Sequence, residues 1–283
     1  MSSSAPRVDL SRPRDLGRLI SDGFGLYVRH FGVFVTIAAA VVIPVEVIVS
    51  GIGLEQISSG FGDDPTAAET AIPLVVSYLV TVPLITGMTI YALLRAAGGE
   101  DPSSRASIAA GLDVFAPVFG AVILAAVGIA AGLFLFIVPG VYLAVRWYFV
   151  AQAVVIDGRR GSAALRRSGE LVTGEWWRVL GVAIVVNLIV IIPAAVVGLP
   201  LSLAAEQADR AVLGLAGSIL AQLVTVPYIA IVGTLLFFDL SARKAGRVPS
   251  PVAPPPPPGA PPPDQGAPPP ARPPDPPGLP PRG

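Results

Sequence analysis

The sequence contains no cysteine, one histidine (His30) and one lysine (Lys244) in 283 residues. Without thiols it can form no disulfide framework, no thiolate nucleophile and no thiolate metal site. The lone histidine has no second histidine or cysteine with which to bind a metal, and nothing near it resembles a Ser-His-Asp arrangement. The glycine clusters at 23–25 and 51–53 complete no phosphate-binding motif. We therefore predict a protein that is not an enzyme and that needs no metal or cofactor.

Charge is also scarce, because charged residues make up 13% of the chain and hydrophobic residues 53%, with a mean hydropathy of +0.71. A soluble domain carries about 25% charged residues, which cover its surface. Most of this protein's surface must therefore face lipid. No segment outside the apolar runs is both basic and aromatic, so we expect no nucleic-acid partner. The preference for arginine over lysine, with the excess of alanine and proline, indicates a GC-rich bacterial genome.

The sequence is organised around residues 139–180. An apolar run that begins at Pro139 carries one charge, Arg146, and ends at Asp157. A second apolar run opens with Trp176-Trp177-Arg178. The loop between the two runs is rich in arginine: Arg159, Arg160, Arg166 and Arg167. Two membrane-length segments joined by such a loop predict a transmembrane hairpin whose loop faces the cytoplasm.

Hydropathy predicts six spans, which we place at about residues 31–52, 71–94, 115–136, 139–156, 177–197 and 211–240. Nearly all basic residues fall on one side if the first span runs outward. The positive-inside rule then predicts a multi-pass protein of the bacterial inner (plasma) membrane with both termini in the cytoplasm. The fold class is an all-α polytopic bundle of six transmembrane helices. Its predicted domains are a cytoplasmic segment over 1–30, the membrane domain over 31–247 and a tail over 248–283.

Residues 14–30 have the spacing of an amphipathic helix, with Ser11 as a candidate N-cap. This helix is either an in-plane interfacial helix or a short helix packed on the bundle. Similar stretches at 103–116 and 162–176 also precede outward spans. They indicate three units of interfacial helix plus hairpin, although the unequal spacing also fits coincidence.

The tail over 248–283 holds most of the prolines of the chain. Proline fixes φ and removes an amide donor, so we predict a disordered segment with polyproline II character. The tail is either a low-complexity spacer or a ligand for a partner protein with an aromatic groove.

Arg146 is the most informative polar residue, because by helical rise it lies roughly 15 Å from the inner end of an unbroken span. Asn187 lies at a similar depth in the next span, and Glu46 is within reach of a long side chain. We predict that the three form a buried polar cluster. It is either a structural clamp or a site for an anion or a lipid headgroup.

Five residues are predicted interfacial anchors rather than catalytic groups. Trp176 and Trp177 fit the aromatic belt beside Arg178. Asp239 and Arg243 have the i, i+4 spacing of a helical ion pair.

The chain resembles the membrane domain of glycerophosphoryl diester phosphodiesterases and its free-standing bacterial relatives. Three stretches carry the resemblance: LGRLISDGFGLYVRHFGVF at 16–34, PGVYLAVRWYFVAQAVVIDGRRGSAALRRSGELVTGEWWRVLGV at 139–182 and VPYIAIVGTLLFFDLSARKAG at 226–246. The resemblance implies a membrane module, because the catalytic barrel of the two-domain enzymes has no counterpart here. We therefore expect a non-enzymatic module that organises membrane lipids or partner proteins. The alternative is a small transporter or permease subunit with an anion site near Arg146.

Overall fold

A computed structural model of the chain describes residues 14–51, 75–208 and 211–245. These residues belong to one compact unit, Met1–Pro251, and within them the chain forms helices and turns but no strand. The predicted proline-rich tail lies outside the described residues, as do residues 52–74, with which the second span was predicted to begin.

Ten α-helices and one short π-helical segment, Ser77–Thr81, make up the described chain. The helices are α1 (Leu16–Arg29), α2 (Phe31–Gly51), α3 (Val82–Ala97), α4 (Ser104–Asp113), α5 (Phe115–Leu135), α6 (Ile137–Arg146), α7 (Val150–Val155), α8 (Ser162–Val172), α9 (Trp176–Ala208) and α10 (Ala211–Ala245).

Six segments are long and apolar enough to cross a membrane: Phe31–Val49, Leu79–Ala97, Phe115–Leu135, Ile137–Val155, Trp176–Ala204 and Leu213–Lys244. The prediction of an all-α polytopic membrane bundle is therefore confirmed. The last two helices are longer than predicted, at 33 and 35 residues, and Pro193, Pro200 and Pro227 lie inside them.

A short helix precedes three of the long helices, as the amphipathic stretches predicted. These pairs are α1 with α2, α4 with α5, and α8 with α9. The N-cap of helix α1 is Asp15, which accepts a hydrogen bond from the Arg18 amide at 2.8 Å; the candidate N-cap Ser11 lies outside the described residues. Ser103 caps α4 in the same way, and Gly174, with φ of +83°, makes the turn between α8 and α9.

Helix α10 is the centre of the bundle, because every residue from 230 to 242 is buried. Helix α1 packs across this part of α10, with Gly23 so close to Val232 that a Cβ would lie 2.9 Å from its methyl group. The Tyr27 hydroxyl donates to the Val224 carbonyl at 2.9 Å. Burial raises the pKa of Tyr27 to about 12, so this donor keeps its proton at neutral pH. One face of α1 packs on the bundle, as one of the two interpretations predicted. Phe24 lies on the opposite face of the helix and is exposed.

Glycines bring α5 and α6 into close contact. A Cβ at Gly132 would lie 3.1 Å from the backbone of Gly140, and a Cβ at Gly128 would overlap the Trp147 ring. Small residues allow this approach of two helices in lipid. The one-residue connection between the helices, Phe136, has extended backbone angles.

We predict that Gly132→Leu lowers the thermal stability of the protein in detergent by about 1–3 kcal/mol, the usual cost of overpacking. Gly120→Leu is the matched control, because Gly120 lies in the same helix and a Cβ there would meet no atom within 4 Å. Thermal unfolding of the two variants compares them. Equal stability would contradict the close packing of α5 on α6.

Candidate functional site

The fourth predicted span is broken, and the break is closed by Ser168 of α8. Helix α6 ends at Arg146 and α7 begins at Val150, with a turn between them. The Ser168 hydroxyl donates to the Arg146 carbonyl at 2.9 Å and accepts from the Phe149 amide at 3.1 Å. Ser168 is fully buried, so these bonds satisfy backbone groups that the break would otherwise leave unpaired. The break thereby fixes α8 beside the end of α6.

Arg146 lies beside α8 and the beginning of α9. A guanidinium Nη1 of Arg146 donates to the Tyr142 hydroxyl at 3.0 Å, and the Arg146 Cζ lies 5.9 Å from the Tyr142 ring centroid. A Cβ at Gly169 would lie 3.1 Å from the Arg146 Nε, so glycine leaves the room that the guanidinium occupies. The Trp176 ring stacks on Tyr142, with centroids 6.2 Å apart, and its Nε1 donates to the Tyr142 carbonyl at 3.4 Å.

Arg146 therefore lies at the end of the bundle where α9 begins, and not deep in an unbroken span. In the described part of the chain, no carboxylate lies within ion-pair distance of its guanidinium. A guanidinium carries five N–H donors, and the Tyr142 hydroxyl takes one of them. The arrangement is thus a half-buried positive charge beside the Tyr142 ring, with N–H donors that Tyr142 does not use.

The structure does not join Arg146, Asn187 and Glu46 in one cluster. Glu46 accepts a hydrogen bond of 2.5 Å from the Gln222 amide of α10, and Asn187 donates to the Ala183 carbonyl of its own helix at 2.8 Å. The predicted cluster assumed that Arg146 stands at the depth of Asn187 in a continuous helix. The break after Arg146 removes that assumption.

Asn187 instead lines an apolar groove of about 530 Å³ between α9 and α10. Thr225 supplies the other polar side chain of the groove, and the remaining lining residues are Ala183, Ile184, Leu188, Val190, Ile191 and Ala194. This composition suits a hydrocarbon chain better than a charged solute.

The second polar site surrounds the carboxylate of Asp239, which is fully buried. Its Oδ2 accepts from the Arg178 Nη2 at 2.9 Å and from the Arg243 Nε at 3.0 Å. Its Oδ1 accepts from the backbone amide of Arg14 at 2.6 Å. Such a buried charge is tolerated when it is paired and fully hydrogen-bonded.

The same two arginines also hold the chain at the beginning of α1. The Arg14 carbonyl accepts from the Arg178 Nη2 at 2.7 Å and from the Arg243 Nη2 at 2.8 Å. The Arg14 side chain pairs with Asp22 at 2.9 Å. The cluster therefore joins the beginning of α1, the beginning of α9 and the end of α10. We call this the basic end of the bundle, which carries Arg14, Arg178, Arg243 and Lys244.

Lys244 of the basic end and Arg167 fix the position of α8. Lys244 donates to the carbonyls of Glu170 and Thr173, which lie at the C-terminal end of α8. Arg167 pairs with Asp157 at 2.5 Å and so closes the turn that follows α7. Cations at the C-terminal end of a helix stabilise its dipole.

The five predicted anchors lie together at the basic end, but their roles differ. The Asp239–Arg243 pair forms as predicted, and Arg178 completes it. Trp176 packs on Tyr142, whereas Trp177 is 79% exposed and points away from the bundle. The part played by Arg14 was not predicted, because no local spacing relates it to a residue 225 positions away.

A family described as a domain of unknown function (DUF7847) matches residues 103–242, just under half of the chain. The matched region begins just before α4 and ends inside the last turns of α10, so it contains Arg146, Ser168, Arg178 and Asp239. No curated protein and no solved structure matches the chain. In the described ranges, no group of three or more His, Cys, Asp or Glu side chains could hold a metal ion.

We predict that Asp239→Asn lowers the free energy of unfolding by about 3–5 kcal/mol, because Arg178 and Arg243 lose the charge that compensates their burial. Glu170→Gln is the control: Glu170 pairs with Arg166 at 3.8 Å, and both side chains are largely exposed. Loss of the exposed Arg166–Glu170 ion pair should lower the free energy of unfolding by less than about 1 kcal/mol. Thermal unfolding in detergent measures both. An Asp239→Asn variant as stable as the control would contradict a structural role for the cluster.

Proposed function

We propose that the chain is a non-enzymatic module of the bacterial inner membrane that holds anionic lipids at its basic end, with the headgroup phosphate at Arg146. In this proposal the basic end faces the cytoplasm, and both termini lie on that side, because arginine is retained on the cytoplasmic side of membrane proteins. The module acts by organising lipids, and through them partner proteins, at that membrane face.

The observation that carries the proposal is the environment of Arg146. Its positive charge is half-buried and has no carboxylate partner among the described residues, unlike Arg178 and Arg243, which share Asp239. Guanidinium groups bind phosphate through paired N–H donors, and the planar fork suits this geometry better than an ammonium. A phosphate at Arg146 would supply the missing negative charge.

The neighbouring aromatic rings support a location at headgroup depth. Trp176 and Tyr142 stack beside Arg146, and tryptophan and tyrosine are enriched where the membrane meets water. The beginning of α9 also lies there, and the N-terminal end of a helix attracts anions. The groove beside Asn187 offers an apolar surface on which an acyl chain can lie.

Transport is the alternative use of an anion site near Arg146. The packing of α10 favours the lipid-holding module, because its inner half is buried on all sides and the described groove does not include Arg146. The resemblance to the membrane domain of glycerophosphoryl diester phosphodiesterases agrees with the same proposal, since that domain is a membrane module without a catalytic barrel.

We predict that Arg146→Gln weakens retention of phosphatidylglycerol about fivefold, which corresponds to about 1 kcal/mol for one basic residue at a lipid surface. Arg166→Gln is the matched control, because it removes an exposed arginine from the neighbouring helix α8. Native mass spectrometry from mild detergent, with phosphatidylcholine as the neutral reference, measures the lipid retained by each variant.

Equal retention of phosphatidylglycerol by the two variants would contradict the headgroup site. Flux of an anion into proteoliposomes that Arg146→Gln abolishes would favour the transporter instead. Thermal unfolding of both variants serves as the check that neither substitution has disturbed the fold.

A further inference from the structure

The connection between α5 and α6 presents the most exposed apolar surface of the described chain. Phe134 is 95% exposed, Phe136 70%, Ile137 74% and Val138 78%. Residues 114–141 contain no charged or polar side chain, so no polar loop separates the two helices. Leaving each large side chain in water costs about 1.5–3 kcal/mol relative to burial. This tip therefore requires an apolar environment.

The contacts of Tyr142 limit how far the tip reaches from the basic end. Tyr142 packs on Trp176, the first residue of α9. The chain from Ile137 to Tyr142 is helical. At a rise of about 1.5 Å per residue, Phe136 therefore lies about 9 Å from Tyr142 along the helix. Helix α9 runs about 25 Å from Trp176 to its first internal proline, Pro193, and continues beyond it. The tip thus stops well short of the other end of the bundle.

The other half of α5 is covered differently. Val118, Ala121 and Ala125 form a small separate core with residues of α7 and α8, which are Val150, Ala153, Val154, Ala164 and Leu165. Beyond Gly128, α5 approaches α6 at Gly132, and Leu133, Phe134 and Leu135 are exposed. The base of the α5–α6 hairpin is therefore covered by α7 and α8 at the basic end, whereas its apolar tip is exposed.

The backbone of the turn is adapted to an environment without water. The Phe136 amide donates to the Gly132 carbonyl at 3.0 Å, and the Phe136 carbonyl accepts from the Gly140 amide at 3.4 Å. Pro139 lies in the first turn of α6, where a backbone N–H would have no acceptor within the helix. Proline has no backbone N–H, so no donor is left unpaired at this position. Each backbone polar group that has no hydrogen-bond partner in hydrocarbon costs several kcal/mol.

We propose that α5 and α6 form a re-entrant hairpin whose turn stays inside the bilayer, with lipid acyl chains around its exposed tip. The length of α6, about 15 Å, is half of the hydrocarbon thickness of about 30 Å, so the turn lies near the bilayer centre when Arg146 is at the headgroups. Length and composition permit these two segments to cross, but the contact with Trp176 holds them to one leaflet. Four segments then cross the membrane, and the termini stay on one side.

This inference rests on the part of the proposed function that puts the basic end at a membrane surface. It does not depend on lipid binding by Arg146, so the lipid-retention experiment can fail while the hairpin remains re-entrant. Conversely, a turn at the opposite surface would place Arg146, about 15 Å from it along α6, near the bilayer centre, and would count against the headgroup site as well.

The test uses the absence of cysteine from the chain. Single-cysteine variants of the full chain, Phe136→Cys and Val138→Cys, carry a nitroxide spin label in phosphatidylglycerol–phosphatidylcholine vesicles. Arg160→Cys and Asp209→Cys are the controls for the two membrane faces. Power-saturation electron paramagnetic resonance compares collisions with oxygen, which enters hydrocarbon, and with a water-soluble nickel chelate.

The expected result is high oxygen and low nickel accessibility at residues 136 and 138, at a depth of about 15 Å, while both controls are open to nickel. Nickel accessibility at residue 136 equal to that at residue 209 would overturn the proposal, because the turn would then emerge at the opposite surface. Low accessibility to both reagents, with spin–spin broadening, would also overturn it, since a second copy rather than lipid would cover the tip.

Discussion

The two hydrogen bonds of the Ser168 hydroxyl are the contact on which the arrangement of the fourth apolar segment depends. They join the last carbonyl of α6 to an amide in the turn before α7, so a helix that could have run straight through is divided in two. Because Ser168 belongs to α8, the same contact brings that helix against the break. The position of Arg146 beside Gly169 of α8 follows from this division.

The Asp239 cluster imposes a second constraint of a different kind. Ser168 satisfies neutral backbone groups, whereas Asp239 compensates two guanidinium charges and a backbone amide in the interior. The cluster joins the beginning of α1, the beginning of α9 and the end of α10. Arg178 and Arg243 share this one carboxylate, whereas Arg146 is a half-buried cation with no carboxylate partner among the described residues.

Hydropathy predicted most of the fold, because lipid selects apolar segments by length and composition alone. It placed α2, α5 and the beginnings of α9 and α10 within a residue or two. Pro193 and Pro227 lie inside continuous helices, so proline did not mark the ends of these spans. Local spacing also predicted the Asp239–Arg243 pair, since residues at i and i+4 meet on any helix.

The sites that depend on distant contacts could not be predicted in this way. The break at Trp147–Phe149 contains no glycine or proline, and the residue that closes it is in another helix. A continuous helix was therefore the natural expectation, and the cluster of Arg146, Asn187 and Glu46 followed from it. The Glu46–Gln222 and Arg14–Asp239 contacts likewise join residues 176 and 225 positions apart, for which one sequence offers no signal.

Disulfide cross-linking between residues 142 and 176 tests the central claim, that the helix break places Arg146 at the basic end. The chain has no cysteine of its own, so the pair Tyr142→Cys and Trp176→Cys is free of background. The structure predicts rapid cross-linking of this pair and none between Tyr142→Cys and Gly198→Cys, which lies on the distant part of α9. Cross-linking to residue 198 without cross-linking to residue 176 would place Arg146 deep in an unbroken span and contradict the account.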